Sequence, residues 1–166
     1  FKLSLTNRST LASTKLNKKT VLFFYPKAMT GGCSIEVQDF QKKLSSFKKL
    51  GFDIFGASKD SIEKNTKFSE KYKLKYELGS DLTDVCEKLG IWIEKSMYGK
   101  KYFGINRSTF ILDKNGKILN LINSQVQYMR HSHRVAVLPK QLVNGKAFGS
   151  PVSVQSAWSG SMANRS

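Results

Sequence analysis

Cys33 is one of two cysteines in this chain of 166 residues, and its position favours chemistry at its sulfur. It follows the apolar run TVLFFYP, residues 20–26, and the short loop KAMTGG, and it opens a segment with helical periodicity. The first N–H groups of a helix lack partners within the helix, and the helix dipole adds partial positive charge there. Both effects favour a thiolate, the nucleophilic form of cysteine. Free cysteines are also often inert core residues, so spacing alone leaves that alternative open.

The loop before Cys33 has residue types that suit a small polar substrate. Thr30 lies three residues before the cysteine, where its hydroxyl can donate to the sulfur or to an oxygen bound there. Gly31 and Gly32 have no Cβ atom, so backbone N–H groups can approach a substrate closely. Pro26 ends the apolar run and can shield one wall of the pocket. We therefore expect a substrate to bind at Gly31 and Gly32.

The remaining candidate ligands predict no metal site and no structural disulfide. Cys86 lies 53 positions after Cys33 (86 − 33), and two cysteines at this separation form neither a disulfide framework nor a metal motif. Reduced thiols are typical of a reducing compartment, so we expect a cytoplasmic protein. His131 and His133 have no further ligands nearby in the sequence, and a solvated loop is the favoured interpretation. No cofactor is expected.

The chain is strongly basic, with a net charge of +16. All 12 acidic residues lie at or before Asp113, and the segment after Asp113 carries only basic charges. Such a surface can attract nucleic acid or an anionic membrane. The lysines are scattered through amphipathic segments, however, which favours a solvated face and no specific nucleic-acid binding. No apolar run approaches the roughly 20 residues that span a bilayer, so we expect no membrane segment.

Strands and helices alternate along the first part of the chain, as the positioning of Cys33 requires. Residues 20–26 are a continuous apolar run, typical of a strand buried on both faces, and FDIFGAS, residues 52–58, is predicted as a second buried strand. Between them a helix is predicted that ends at Gly51. Its apolar positions recur mostly at helical spacing and are Ile35, Val37, Phe40, Leu44, Phe47 and Leu50.

Further elements follow the second strand. A helix is predicted to begin at Asp60 or Ser61, with Glu63 in a capping box. A short strand over residues 76–81 and a short helix closed by Gly90 come next. Residues 108–122 form a predicted hairpin around Asn115-Gly116.

This order predicts an α/β fold with a mixed central sheet flanked by helices. We expect one domain over residues 1–123. Residues 124–166 have little sustained periodicity and a Ser/Ala/Gly-rich end, which predicts a divergent, basic and poorly ordered tail.

Two motifs in this order resemble the peroxiredoxins. The stretch YPKAMTGGC matches their active-site loop, a proline, three residues, a threonine, two residues and a cysteine, here Pro26, Thr30 and Cys33. The stretch MYGKKYFGINRSTFILDKNGKI is similar to the bacterioferritin-comigratory, or Q-type, subgroup. The resemblance covers roughly residues 1–120 and implies a thioredoxin-like fold.

The resemblance also implies a reaction. Arg107 matches the arginine that pairs with the thiolate and the peroxide, and a guanidinium suits both because it is permanently charged and donates to developing oxyanion charge. The implied activity is reduction of hydrogen peroxide and organic hydroperoxides through a sulfenic acid at Cys33.

The sequence departs from the subgroup at the step that follows. The positions of the usual second, resolving cysteine are Gln38 and Ser69 here. Cys86 is the remaining candidate, and a small core residue is the favoured interpretation of it. We therefore expect a one-cysteine mechanism completed by thioredoxin, glutaredoxin or a small thiol, in a monomer. In the loop, Ala28 replaces a usual acidic residue and Gly32 a usual proline.

Two other functions stay open at this point. A catalytically silent thioredoxin-fold protein would bind partners through the basic surface, although Pro26, Thr30, Cys33 and Arg107 together argue against it. A disulfide reductase would need a Cys-x-x-Cys pair, which the sequence does not contain.

Overall fold

The computed structural model describes residues 1–123, which form nine strands and three helices. The strands of the main sheet are β1 (Lys2–Leu5), β2 (Thr10–Ala12), β3 (Lys19–Phe24), β4 (Phe52–Ser58), β5 (Leu78–Ser80), β8 (Ser108–Leu112) and β9 (Ile118–Asn123). The helices are α1 (Gly31–Lys49), α2 (Ile62–Lys71) and α3 (Val85–Lys88), and a separate ribbon consists of β6 (Trp92–Met97) and β7 (Lys100–Ile105).

The main sheet is mixed, as predicted, with the order β2-β1-β5-β4-β3-β8-β9. The strand pairs β3–β4 and β4–β5 are parallel, and the pairs β3–β8 and β8–β9 are antiparallel. The central strand β3 is buried on both faces because alternate side chains enter two different cores. This explains why its sequence is a continuous apolar run rather than an alternating one.

The two cores lie on opposite faces of the sheet. Val21, Phe23 and Tyr25 point to the face covered by α1 and α2, and Leu22 and Phe24 point to the other. On the first face, the rings of Phe23 and Phe40 stack with centroids 4.1 Å apart, which fixes α1 across the strand. On the second face, α3 and residues of the β6–β7 ribbon complete the core.

The predicted helix boundaries are largely confirmed, with two corrections. Helix α1 ends just before Gly51, which has a φ of +83°. Ile35, predicted on the apolar face, is instead exposed, because Cys33, Glu36 and Val37 occupy the buried side of this turn. The predicted capping box at Glu63 is wrong: Ser61 is the N-cap and its hydroxyl accepts from the N–H of Lys64, which places Glu63 one residue too early.

Two hairpins are absent from the predicted elements. Strands β1 and β2 pair near the N-terminus, and β6 and β7 pair around a two-residue turn at Tyr98-Gly99. Both turn residues have positive φ, 52° and 76°, as the tight turn that matches strand twist requires. Tyrosine is uncommon in this conformation, and the ribbon is largely exposed on both faces, so its sequence lacks a clear apolar alternation.

The predicted tail at 124–166, with His131 and His133, lies outside the described residues. Among the described residues, no helix has both the length and the apolar character needed to cross a membrane.

Gly56 offers a test of core packing between β3 and β4. A Cβ atom at this position would lie 2.6 Å from the Phe23 ring and 2.8 Å from a Leu78 methyl group. Both side chains are fully buried, so neither can move aside freely. We expect Gly56→Ala to lower the free energy of unfolding by about 1–3 kcal/mol in urea titrations.

Gly31→Ala is the matched control, since a Cβ atom there would meet no atom within 4 Å. It should leave the free energy of unfolding unchanged or slightly higher, because alanine favours helix. Equal stability of the two variants would show that the space around Gly56 is not tight.

Candidate active site at the start of the first helix

Antiparallel pairing of β3 with β8 brings the two parts of the candidate site together. Phe24, at the end of β3, is paired with Ser108, at the start of β8. The loop that follows β3 leads to Cys33, and Arg107 immediately precedes β8. Residues 74 positions apart in the chain therefore meet at one edge of the sheet.

The guanidinium of Arg107 joins the cysteine to a buried carboxylate. Its Nη2 donates to the Sγ of Cys33 at 3.2 Å, and its Nη1 donates to Oε2 of Glu36 in a salt bridge. Cys33 and Glu36 are both 1% exposed, so these contacts are made largely out of water. A positive charge is thereby held against the sulfur in a fixed orientation.

Burial and charge act against each other in this group. Burial raises the pKa of Glu36 from 4.5 to about 7, although the charge and hydrogen bond of Arg107 oppose this shift. Burial on its own would lower the pKa of Arg107, but the charges of Glu36 and Cys33 and the hydrogen bonds to them raise it above its usual value. Arg107 therefore stays charged, while Glu36 titrates near neutrality.

The loop between β3 and α1 is fixed by hydrogen bonds to strand β4 and to the connection between β4 and α2. Tyr25 donates its N–H to the carbonyl of Ala57 at 3.0 Å, and Ala28 donates its N–H to the Asp60 carboxylate at 2.8 Å. Met29 has a φ of +67°, an uncommon conformation for this residue that the surrounding contacts must hold. Ala28 is buried, and its methyl side chain brings no carboxylate to this position of the loop.

The Thr30 hydroxyl donates to the backbone of its own loop and not to the Cys33 sulfur in this conformation. Thr30 is the N-cap of α1, and its hydroxyl donates to the carbonyl of Lys27 at 2.8 Å. Because a hydroxyl has a single proton, the predicted donation from Thr30 to the sulfur or a bound oxygen is not made here. Ser34 makes the first helical hydrogen bond, to Thr30, so the N–H groups of Gly31, Gly32 and Cys33 precede it at the helix start.

Tyr25 links the loop before Cys33 to α2 by a buried hydrogen bond. Its side chain is fully buried, and its hydroxyl donates to the side-chain oxygen of Asn65. Asn65 in turn donates to the carbonyl of Gly79 and the hydroxyl of Ser80, at 3.2 and 3.0 Å. Burial raises the pKa of Tyr25 well above its usual value, so the phenol remains a neutral donor. This network joins three elements beneath the loop.

Cys86 does not join this group. Its side chain belongs to the core on the opposite face of the sheet from Cys33. It is fully buried, and burial together with a hydrogen bond to Asp81 raises the pKa of its thiol, which therefore stays protonated. Within residues 1–123, no cluster of three or more His, Cys, Asp or Glu side chains is placed to hold a metal ion.

Glu36 is the residue of this site that the sequence analysis missed. A signal was present: it follows Cys33 by three residues, so both lie on one side of a helix. That side also carries Val37 and Phe40, and an acidic residue on an apolar face indicates a buried partner of opposite charge. The partner could not be found from spacing, because Arg107 belongs to a distant strand connection.

Comparison with known proteins places this geometry in a family. The family model described as AhpC/TSA matches residues 1–120. Peroxiredoxin Bcp of Escherichia coli strain K12 is 43% identical over 102 residues, which are 61% of this chain and 65% of that protein. Peroxiredoxin Bcp of Bacillus subtilis is 45% identical over 103 residues, 61% of this chain and 66% of that protein. The chain thus spans just under two thirds of these curated relatives.

Solved structures agree over a larger share. A structure of the Xanthomonas campestris bacterioferritin comigratory protein, described in terms of its alkyl peroxide reduction activity, is 33% identical with a TM-score of 0.73, covering 84% of this chain and 90% of that one. A cysteine-to-serine mutant of Xylella fastidiosa PrxQ is 30% identical with a TM-score of 0.76, covering 88% of this chain and 90% of that one. The predicted thioredoxin-like fold is thereby confirmed. The chain belongs to the AhpC/TSA family, within its bacterioferritin-comigratory, Q-type peroxiredoxins.

Proposed function

We propose that the chain is a thiol peroxidase that reduces hydrogen peroxide and organic hydroperoxides with Cys33 as its nucleophile. The observation that carries the proposal is the contact of the Arg107 guanidinium with the Cys33 sulfur, 3.2 Å, at the start of α1. Catalysis by this sulfur requires its anionic form, and an adjacent cation and helix N-terminus favour that form. No observation favours the catalytically silent alternative.

The first step transfers one oxygen atom to the sulfur. The Cys33 thiolate attacks the terminal oxygen of the hydroperoxide, an S–O bond forms and the O–O bond breaks. The electron pair leaves with the second oxygen, which takes up a proton as water or alcohol, and Cys33 becomes a sulfenic acid. Arg107 and the N–H groups of Gly31 and Gly32 can donate to the oxygens as negative charge develops there. Pro26 shields the loop side of the pocket.

Glu36 acts as a positioning residue for Arg107. A guanidinium that contacts only a sulfur could rotate, whereas one that is also paired with a buried carboxylate has a single orientation. When ionised, Glu36 offsets part of the Arg107 charge and so weakens its field at the sulfur. When Glu36 is protonated, that field is stronger. A pKa near 7 therefore couples the field at the sulfur to ambient pH in the neutral range.

The second step needs an external thiol. Cys86 is buried on the opposite face of the sheet, so we propose a one-cysteine cycle with thioredoxin, glutaredoxin or a small thiol as reductant. One reductant thiol displaces water from the sulfenic acid and forms a mixed disulfide, and a second thiol releases Cys33. We propose that the chain works as a monomer in a reducing compartment such as the cytoplasm.

Oxidation of Cys33 in a single turnover tests the function. One equivalent of hydrogen peroxide should consume one thiol, and mass spectrometry after trapping with a sulfenate-specific reagent should locate the adduct on Cys33. We expect Cys33→Ser to form no adduct. Arg107→Gln should slow oxidation by about 100-fold, because one donor to the developing charge is lost.

Lys114→Gln is the matched control, since it removes an exposed positive charge in the turn after β8. It should oxidise at the rate of the unaltered chain. A folded chain that consumes no peroxide at Cys33, or an Arg107→Gln variant that reacts at full rate, would contradict the proposal.

Glu36→Gln should change how stability depends on pH. In the unaltered chain the carboxyl has a folded pKa of about 7 against 4.5 when unfolded, so the folded form retains a proton that the unfolded form has lost. The stabilising effect is complete below 4.5 and is lost as pH rises through 7. Glutamine does not titrate. Urea unfolding should show the unaltered chain losing roughly 2–3 kcal/mol relative to Glu36→Gln between about pH 5 and 8.

Glu70→Gln, which removes an exposed carboxylate on α2, should follow the pH dependence of the unaltered chain. Parallel pH profiles for the unaltered chain and Glu36→Gln would mean that Glu36 is ionised throughout this range, and the proposed dependence of the field at the sulfur on pH would be wrong.

Cys86→Ala tests the one-cysteine cycle. We expect turnover with thioredoxin within twofold of the unaltered chain, because a thiol on the far side of the sheet does not reach the sulfenic acid. The free energy of unfolding should fall by about 1 kcal/mol, as for loss of a small buried group. Loss of thioredoxin-dependent turnover in a folded Cys86→Ala protein, with peroxide oxidation intact, would show instead that Cys86 resolves the intermediate.

A further inference from the structure

The β6–β7 ribbon concentrates exposed apolar side chains. Seven large hydrophobic residues are exposed within residues 1–123, and four of them lie in this ribbon, at 42% to 99% exposure: Met97, Tyr98, Tyr102 and Phe103. Single exposed apolar residues are ordinary, but four on one short ribbon indicate an interaction surface. Strand alternation places Met97 and Tyr102 on one face of the ribbon and Phe103 on the other. Nothing in the proposed peroxide chemistry uses these side chains.

The ribbon forms one wall of a cleft that borders the active-site loop. The cleft has a volume of about 900 Å³. Its opposite wall consists of Pro26 and Lys27 from the loop before Cys33, and Lys59 and Asp60 from the connection that follows β4. A molecule seated in this cleft, hereafter the ribbon cleft, would therefore contact the segment that carries the reactive sulfur.

Positive charge surrounds the ribbon cleft. Five lysines line it, namely Lys27, Lys59, Lys95, Lys100 and Lys101. The one carboxylate in its lining, Asp60, already accepts hydrogen bonds from a backbone N–H and a hydroxyl and pairs with a lysine on α2. Lys59 is neutralised by two carboxylates and Lys101 pairs with Glu94 across the ribbon, whereas the salt bridges among the described residues include neither Lys27 nor Lys100. A complementary surface is apolar at its centre and acidic at its rim.

The aromatic contacts in the ribbon cleft favour a protein over a nucleic acid. Single-stranded nucleic acid binds such grooves by stacking bases on open ring faces. The Trp92 ring is already covered, because Phe103 stacks on it with centroids 6.5 Å apart and the Lys59 ammonium lies 5.0 Å from its centroid. The Trp92 ring is thus part of a packed apolar surface and is not a free stacking platform.

We propose that the ribbon cleft docks the reductant, a thiol protein whose contact surface is apolar with an acidic rim. The inference rests on the proposed function, which requires an outside thiol to reach Cys33. The partner's first thiol attacks the sulfenic sulfur, water leaves, and a mixed disulfide forms. Its second thiol then attacks the partner's own sulfur, so that Cys33 is released reduced and the partner leaves as a disulfide.

A charge reversal at the tip of the ribbon tests the docking. The probe is a bacterial thioredoxin with a net negative charge at neutral pH. The double variant Lys100→Glu/Lys101→Glu should lower kcat/KM for this thioredoxin at least tenfold. It should leave turnover with dithiothreitol and single-turnover oxidation of Cys33 by hydrogen peroxide unchanged. The kcat/KM of the unaltered chain for thioredoxin should fall as salt rises from 20 to 200 mM, because the screening length shortens from about 20 to 7 Å. The variant, which keeps a smaller net positive charge, should lose less.

Lys114→Glu/Lys117→Glu is the matched control, because it makes the same charge change in the exposed turn between β8 and β9. Its thioredoxin kcat/KM should stay within twofold. Tyr98→Asn tests the apolar part separately and keeps the turn, since asparagine tolerates positive φ. It should lower thioredoxin kcat/KM several-fold at unchanged dithiothreitol turnover.

Three results would overturn the proposal. Equal losses of thioredoxin kcat/KM in the two charge variants would show only a general effect of net charge. Full thioredoxin activity in the ribbon variants would exclude the cleft as the docking site. Slower oxidation of Cys33 by cumene hydroperoxide in those variants would assign the cleft to the peroxide instead.

Failure of the docking proposal and failure of the proposed function are distinguishable. Titration of ¹⁵N-labelled thioredoxin with the Cys33→Ser variant measures association without chemistry. We expect binding that weakens at least tenfold when Lys100→Glu/Lys101→Glu is added. Binding in this assay, with no oxidation of the unaltered chain by peroxide, would support the docking surface and contradict the peroxidase function. Equal binding by Cys33→Ser with and without Lys100→Glu/Lys101→Glu would contradict the docking surface.

Discussion

The rest of the site depends on one guanidinium that is shared between a sulfur and a buried carboxylate. Arg107 donates to Cys33 and to Glu36 from adjacent nitrogens, with both partners almost fully buried. A buried charge is costly unless it is paired, so each member of the group fixes the others. The sheet register, the start of α1 and the connection before β8 must all be correct for the group to form.

The fold meets this requirement by ordinary means. The largely apolar strand β3 lies between a parallel and an antiparallel neighbour, so its end is the point where segments from distant parts of the chain meet. Stacking of Phe23 on Phe40 sets the position of α1, and with it the depth of the cysteine. The Tyr25–Asn65 contact supports the same loop from below. Packing thus does the positioning, and the polar residues supply the chemistry.

Sequence reasoning recovered the elements whose signals are local. The apolar strand β3, the buried strand β4, the helix that ends just before Gly51 and the turn at Asn115-Gly116 each follow from residue types within a few positions. The β6–β7 ribbon was missed because it is exposed on both faces and turns at a tyrosine. In the site, Cys33 could be found from its loop and Arg107 from family resemblance. Glu36 could not be paired with Arg107, because that pairing depends on the register of β3 against β8.

The placement of the two cysteines on opposite faces of the sheet affects how well the protein survives oxidation. If Cys33 works as proposed, no second thiol within the described fold reaches its sulfenic acid, which must therefore react with an outside molecule. A second peroxide arriving first would convert it to the sulfinic acid, which thiols do not reverse. The fraction of molecules lost in each cycle is then a ratio of two bimolecular rates, one for peroxide and one for reductant. Survival under an oxidant burst is accordingly a property of the surrounding solution as much as of the chain.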